Sequence, residues 1–377
     1  MRVYLFTLLV AAAVTYLCTP AARLLARRTG AMTAVRARDV HDTVTPRLGG
    51  MAMLAGFLAA MLLAMHIPFL ESLFEEPGKP LAIMGAATLI CLIGAADDKW
   101  DLDWVTKLAG QVLAALLMAW QGVQLVSLPI GGVTLLSAHA SLILTVFLVV
   151  ASMNAVNFVD GLDGLAAGVM AIGGSAFFLY AYVLTRSASA TDYSSLAALI
   201  TAAMIGACLG FLPHNINRAR IFMGDSGALL LGLLLAASSI TVTGQVDPAR
   251  LSGTDLLGQF LPILLPFGVM VIPFLDLALT VLQRIGAGKS PFHADKRHLH
   301  HRLLRLGHTQ VGAVLIMYTW TIVICAGLLL PMVASARTVY WFWGIGMGAA
   351  LLLTINPLRL LQSAHRKDDD ARHPRGA

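Results

Sequence analysis

Long apolar runs recur along the chain, separated by short polar segments. Eleven can be drawn, at roughly 3–22, 49–67, 81–96, 107–126, 139–155, 165–185, 194–212, 226–243, 257–282, 311–331 and 339–356. Most are about 17–22 residues long, as membrane-crossing helices require, and none alternates strictly as a barrel strand would. In lipid only helices and closed barrels satisfy their own backbone groups. The pattern therefore predicts an all-α, polytopic integral membrane protein with about eleven transmembrane helices. The region 226–282 is the least regular; Pro262, Pro266 and Pro273 predict a long, kinked last span there. Residues 1–22 read as a retained first span rather than a cleaved leader, since further spans follow.

Composition supports this. The 377 residues are 58% hydrophobic and 12% charged, with a mean hydropathy of +0.78. One transmembrane domain is expected over residues 1–356. The polar tail 357–377 has mixed charge and reads as disordered. The net charge of +6 is better explained by loop asymmetry than by nucleic acid, which is not expected as a partner. With eleven spans, 21 of the 26 Lys and Arg residues fall on one side. Arg2, Lys79, Arg186, Arg250 and Arg337 fall on the other. That bias puts the C-terminus in the cytoplasm and the N-terminus outside. Cys18, Cys91, Cys208 and Cys325 each lie in a different apolar run, which argues against a disulfide framework.

Unusual polar residues concentrate on the predicted cytoplasmic side. The first loop ends in Pro46-Arg47-Leu48-Gly49-Gly50, where glycines allow close backbone approach. Arg23, Arg27 and Arg28 suit an ordinary positive-inside loop, whereas Arg47 is a ligand candidate at the start of a span. Next come Asp97 and Asp98. Neighbours on a helix point about 100° apart, so one carboxylate can face a metal or phosphate while the other anchors a nearby loop. Two solvated carboxylates are the alternative, weakened because a helix C-terminus disfavours anions. Lys107 either snorkels to the interface or holds a phosphate.

A third stretch reads Asn154-x-x-Asn157-x-x-Asp160-Gly161-x-Asp163-Gly164. Steps of three residues turn about −60° around a helix, so Asn154 and Asp163 converge only if the helix ends, which Gly161 and Gly164 permit. Oxygen ligands of this kind suit Mg²⁺ and exclude a zinc–sulfur site. Fourth is Asn215, then Phe222-Met223-Gly224-Asp225-Ser226-Gly227. It reads either as an anion site or as an N-cap at a helix start. Phe222 could stack on a base. Last, His298, His300 and His301 lie among Lys296, Arg297 and Arg302, which favours an anion patch over a metal site.

Together, in this order, these motifs resemble the polyprenyl-phosphate N-acetylhexosamine-1-phosphate transferases. The resemblance spans nearly the whole chain. It implies a Mg²⁺-dependent reaction, with Mn²⁺ as a substitute. A polyprenyl phosphate attacks the sugar-linked phosphate of a UDP-sugar, giving polyprenyl-diphospho-sugar and UMP. It implies Asp225 as the principal metal ligand, with Asp97 near the metal and the diphosphate. Asp98 matches the residue that takes a proton from, or orients, the lipid phosphate. Asp160 falls among the catalytic carboxylates. Asn157 and Lys107 match diphosphate-positioning residues, with Asn154 beside them. Phe222, Gly224, Asn215 and Asp163 fall where the family handles uridine. Arg47, His298, His300 and His301 match phosphate and sugar contacts.

The His-x-His-His pattern looks like the branch using UDP-GlcNAc. The sister branch, transferring phospho-MurNAc-pentapeptide, typically has three consecutive histidines, and here Leu299 interrupts them. Undecaprenyl or decaprenyl phosphate is the implied acceptor. A multi-pass protein of the bacterial inner membrane with a cytoplasmic active site follows, and a homodimer is compatible with it. A two-step route through an aspartyl-phosphate is the mechanistic alternative. A transporter is the competing class, but it predicts polar groups at mid-membrane and repeat symmetry.

Overall fold

A computed structural model describes residues 1–33, 44–128, 134–188, 194–243, 268, 303–304 and 306–355. Ten helices account for ten of the eleven apolar runs. They are α1 (Arg2–Thr29), α2 (Gly49–Ala64), α3 (Gly78–Trp100), α4 (Trp104–Trp120), α5 (Ala138–Val159), α6 (Leu165–Ala188), α7 (Leu196–Asn215), α8 (Gly224–Thr243), α9 (Gln310–Leu329) and α10 (Ala336–Ile355). The run 257–282 and the tail 357–377 lie outside the described residues.

Eight segments are long and apolar enough to cross a membrane unaided. The chain is a multi-pass membrane protein. Helix α4 is shorter, and α2 departs from the expected straight span over 49–67: it stops at Ala64 and the chain bends by 102° into a 3-10 turn, Pro68–Phe74. Pro68 explains the break, because a residue before proline is pushed out of the helical region, and Ile67 is extended at φ −98°. One feature was not expected at all. Ser127–Leu128 and Thr134–Leu135 form a two-residue antiparallel hairpin with Ser127 opposite Leu135.

Local signals set the other boundaries. Asp103, Ser137, Ser195 and Thr309 each cap a helix start by accepting backbone N–H bonds. At the end of α3, Asp101 adopts φ 54° and returns its N–H to the carbonyl of Asp97. The chain reverses there within three residues, which places Lys107 of α4 beside the end of α3.

Helix α8 is apolar on all sides and almost every side chain in it is buried, so it is the centre of the bundle. At the other extreme, α10 buries only Ala350 and covers α9 from outside. Lipid tails give helices little hydrophobic reason to associate, so close packing by small residues does much of the work. Gly206 and Gly210 press α7 against the backbone of α1 at Leu8 and Ala12. Gly94 of α3 and Gly50 of α2 meet the backbone of α8 at Ser226 and Gly227 in the same way. The two ends of the bundle differ. At one end Tyr4 accepts a bond from the Ser195 N–H at 2.7 Å and packs edge-on against Phe69, Phe178 and Tyr182. The other end carries the polar motifs.

Gly94→Val tests the close α3–α8 approach. It is expected to cost about 1–3 kcal/mol of stability by overpacking, read as earlier thermal unfolding in detergent. Gly344→Ala, where an added Cβ meets nothing within 4 Å, should change little.

Candidate active site

The C-terminal ends of α3, α5 and α7 meet the N-terminal ends of α2, α4, α6 and α8 at the polar end. Backbone pairing builds one wall. The Phe222 N–H donates to the Pro46 carbonyl at 2.8 Å, and the Phe222 carbonyl accepts from Gly49 at 3.0 Å. Gly50 donates to Met223 at 3.0 Å. Arg47 and Phe222 thus become parallel neighbours across a short seam. The Arg47 side chain is steadied by Thr33, whose Oγ1 accepts from Nε at 3.0 Å. A Cβ at Gly49 or Gly50 would strike the facing strand or helix start.

The carboxylate pair divides its work. Asp98 is buried and accepts from the backbone N–H groups of Asp225 at 2.9 Å and Ser226 at 3.2 Å. It therefore caps α8 from another helix, with the helix dipole in its favour. This corrects the expectation of a local Asp or Ser cap. Each of its two oxygens accepts one of these backbone bonds. Gly224 makes the cap possible: its φ is +69°, and a Cβ there would fall on the Asp98 carboxylate.

Asp97 faces the other way. It accepts from the Leu102 N–H at 2.9 Å and from Lys107 Nζ at 3.1 Å. Lys107 also pairs with Asp225. One ammonium thus joins the ends of α3, α4 and α8, and brings Asp97 and Asp225 onto a common point.

The opposite wall is the turn between α5 and α6. Helix α5 ends at Val159, so the polar positions are released from a single helix as the spacing requires. Asp160 is half-buried. Burial pushes its carboxyl up to about 7; Asp98 and Asp163 add to this, while Arg47 opposes it. Asp163 is buried and accepts from the Ala219 N–H at 3.0 Å. Buried Asn215 accepts from the Gly164 N–H at 2.9 Å and donates to the Ile221 carbonyl at 3.0 Å. Asp163 and Asn215 therefore shape the loop that leads to Phe222. Asn157 lies half-buried, with no side-chain partner among the described residues. Asn154 is held in a reciprocal amide pair: it donates to Gln111 at 2.7 Å and to the Val150 carbonyl at 2.8 Å. His298, His300 and His301 lie outside the described residues.

The donor set fits a hard divalent cation held partly by its substrate. Among the described residues no three His, Cys, Asp or Glu side chains form a closed cage. Mg²⁺ does not need one, since it commonly takes one or two carboxylates plus waters and phosphate oxygens. Asp97 and Asp225 converge on a position now neutralised by Lys107.

Sequence comparison shows the family. A family model for glycosyl transferase family 4 matches residues 80–243. The chain is 44% identical over 323 residues to a Mycobacterium tuberculosis (strain H37Rv) protein named decaprenyl-phosphate N-acetylglucosaminephosphotransferase, covering 85% of this chain and 80% of the relative. A protein of the same name from Mycolicibacterium smegmatis is 41% identical over 370 residues, covering 97% and 90%. The chain belongs to glycosyl transferase family 4. A phospho-N-acetylmuramoyl-pentapeptide-transferase from Mycolicibacterium smegmatis is also similar, at 32% identity over 350 residues, covering 82% of this chain and 92% of that protein.

Two residues of this family 4 enzyme's site escaped sequence reasoning. Gln111 is buried behind Asn154. It stands four residues after Lys107, on the same side of α4, and that spacing was a usable signal. Tyr318 of α9 donates to the Gly164 carbonyl at 2.6 Å. It lies in a distant apolar run, and no local pattern marks it.

Asn215→Ala leaves the Gly164 N–H and the Ile221 carbonyl unpaired in a buried place. A loss of about 1–3 kcal/mol is expected, measured by thermal unfolding of the detergent-solubilised enzyme. Asn215→Asp keeps the acceptor, loses the donor, and should fall in between.

Proposed function

We propose that the enzyme transfers GlcNAc-1-phosphate from UDP-GlcNAc to a polyprenyl phosphate, giving polyprenyl-diphospho-GlcNAc and UMP. The observation that carries the reading is the Lys107 ammonium held between Asp97 and Asp225 where three helix ends meet. Phosphoryl transfer asks a protein mainly for positioning and for charge stabilisation, and this arrangement offers both. The relatives' names support the choice of donor. Against two Mycolicibacterium smegmatis proteins, identity is higher with the N-acetylglucosaminephosphotransferase than with the pentapeptide transferase.

In this reading Asp225 and Asp97 hold Mg²⁺, with Mn²⁺ as a substitute. A divalent cation held there would stabilise negative charge on the diphosphate. Lys107 turns from its carboxylates toward a diphosphate oxygen. Asn157, whose amide has no partner among the described residues, donates to the same group. Arg47 and Phe222, joined by the seam, receive phosphate and uracil. Asp163 and Asn215 set the loop that carries Phe222. Asp98 serves by holding Asp225 in place. A phosphate monoester is largely dianionic at neutral pH, so the acceptor needs no strong base, and a direct displacement suffices. Decaprenyl or undecaprenyl phosphate is the acceptor, and the site faces the cytoplasm of a bacterial cell membrane. The histidines at 298, 300 and 301 join as anion contacts.

Membranes containing the protein should form a lipid-linked sugar from radiolabelled UDP-GlcNAc and polyprenyl phosphate, with matching UMP release, only when Mg²⁺ or Mn²⁺ is present. Product from UDP-MurNAc-pentapeptide alone would move the enzyme to the sister branch. Asp225→Asn should lower turnover by orders of magnitude while the protein still inserts. Full turnover in that variant would refute the metal assignment. Labelling of a cysteine placed at exposed Arg218 from the outer face would reverse the orientation.

A further inference from the structure

Outside the site, a group of basic side chains has no acidic counterpart among the described residues. Arg23 and Arg27 stand on the last turns of α1. Arg220 and His214 come from the loop after α7 and from its last turn. Arg23 lies within electrostatic reach of both Arg27 and Arg220, and His214 within reach of Arg220 and Arg23. Among the described residues no carboxylate pairs with any of them. Arg23 Nε and His214 Nε2 are both buried without a hydrogen-bond partner among the described residues. The His214 ring packs on the Tyr16 ring at 4.8 Å between centroids. Two buried donors or acceptors left open, side by side among like charges, call for an anionic occupant.

The position suggests which one. Helices α1 and α7 run side by side in the same direction: Tyr4 meets Ser195 near their starts, and Tyr16 meets His214 near the end of α7. At 1.5 Å per residue, α1 is about 42 Å long and α7 about 30 Å, so α1 continues past the end of α7. Arg23, Arg27 and Arg220 stand at that step. The neighbouring surface of α1 is apolar and exposed, with Leu17 72%, Leu24 49% and Leu25 45% exposed. Charge at the step and exposed leucines along the helix match a molecule with an anionic head and hydrocarbon tails.

We propose that Arg23, Arg27, Arg220 and His214 form a binding site for the phosphate of an anionic membrane phospholipid, seated between α1 and the loop that leads to Phe222. Basic pockets between transmembrane helices on the cytoplasmic side take such headgroups. The lipid phosphate would accept from Arg23 Nε and from the guanidinium groups of Arg27 and Arg220, while its chains lie along Leu17, Leu24 and Leu25. The Arg220 N–H already bonds the His214 carbonyl at 2.9 Å, so an occupant would tie this loop to α1.

The test uses the purified full-length protein in neutral detergent, titrated with phosphatidylglycerol, phosphatidylcholine or inorganic phosphate. Phosphatidylglycerol should be retained in native mass spectrometry and raise the unfolding temperature, and phosphatidylcholine should do neither. Arg23→Gln with Arg220→Gln should weaken retention about tenfold or more. Arg337→Gln, at the opposite end of the bundle, should not. Arg220 is exposed, so Arg220→Gln alone keeps the fold intact and must shift retention in the same direction. Equal retention of the two lipids, or unchanged retention in Arg220→Gln, overturns the proposal. Equal stabilisation by inorganic phosphate replaces the lipid with a free anion. A raised KM for polyprenyl phosphate in Arg220→Gln, without loss of phosphatidylglycerol, assigns the cluster to the substrate instead.

Discussion

The bonds from Asp98 to the first amides of α8 are the constraint on which the site depends. A buried carboxylate near a membrane is costly unless its charge is answered. Here the answer comes from the N–H groups of Asp225 and Ser226 and from the positive end of α8. Those bonds require α3 and α8 to touch, and Gly94 removes the side chain that would keep them apart. They also require a first residue on α8 with positive φ and no Cβ, and Gly224 supplies both. Once α3 is pinned, its next polar neighbour is fixed too. Asp97 lies about 100° around the helix and so faces Lys107 rather than α8.

The arrangement concentrates negative charge, and Lys107 answers two of the carboxylates at once. Asp97 and Asp225 share Lys107, and burial, with Asp98 and Asp163 adding to it, raises the Asp160 carboxyl to about 7. A cation and a diphosphate together would leave net charge nearly unchanged while exchanging every partner. Lys107 can pass from carboxylate to phosphate by rotating its side chain, without moving a helix. That suits a reaction in which the protein contributes mainly fixed charge and orientation.

Much of this was legible from residue spacing. The apolar runs set the helices, and the 100° rule separated the roles of Asp97 and Asp98 before their partners were visible. The need for α5 to end between Asn154 and Asp163 followed from helical geometry, and α5 does end at Val159. What the sequence concealed was pairing over long separations. Nothing local says that Asp98 caps a helix 127 residues away, or that Pro46 and Phe222 share a backbone seam. Asn154 looked like a free ligand, yet its amide is taken by Gln111. Such contacts depend on which helix ends meet, and that is decided by small residues whose meaning appears only in the packed bundle.

The turn at Gly164 has a consequence of its own. A glycine with φ +74° between two helices has the look of a hinge. Here both its backbone groups are held by side chains, the N–H by Asn215 and the carbonyl by Tyr318. Its amide hydrogen should therefore exchange with solvent slowly, as helix-core amides do, despite lying in a glycine-rich turn. Local opening there would need α7 to let go of the N–H, and Tyr318 ties the same residue to α9. Protection of this one turn amide would then report the docking of two helices at once.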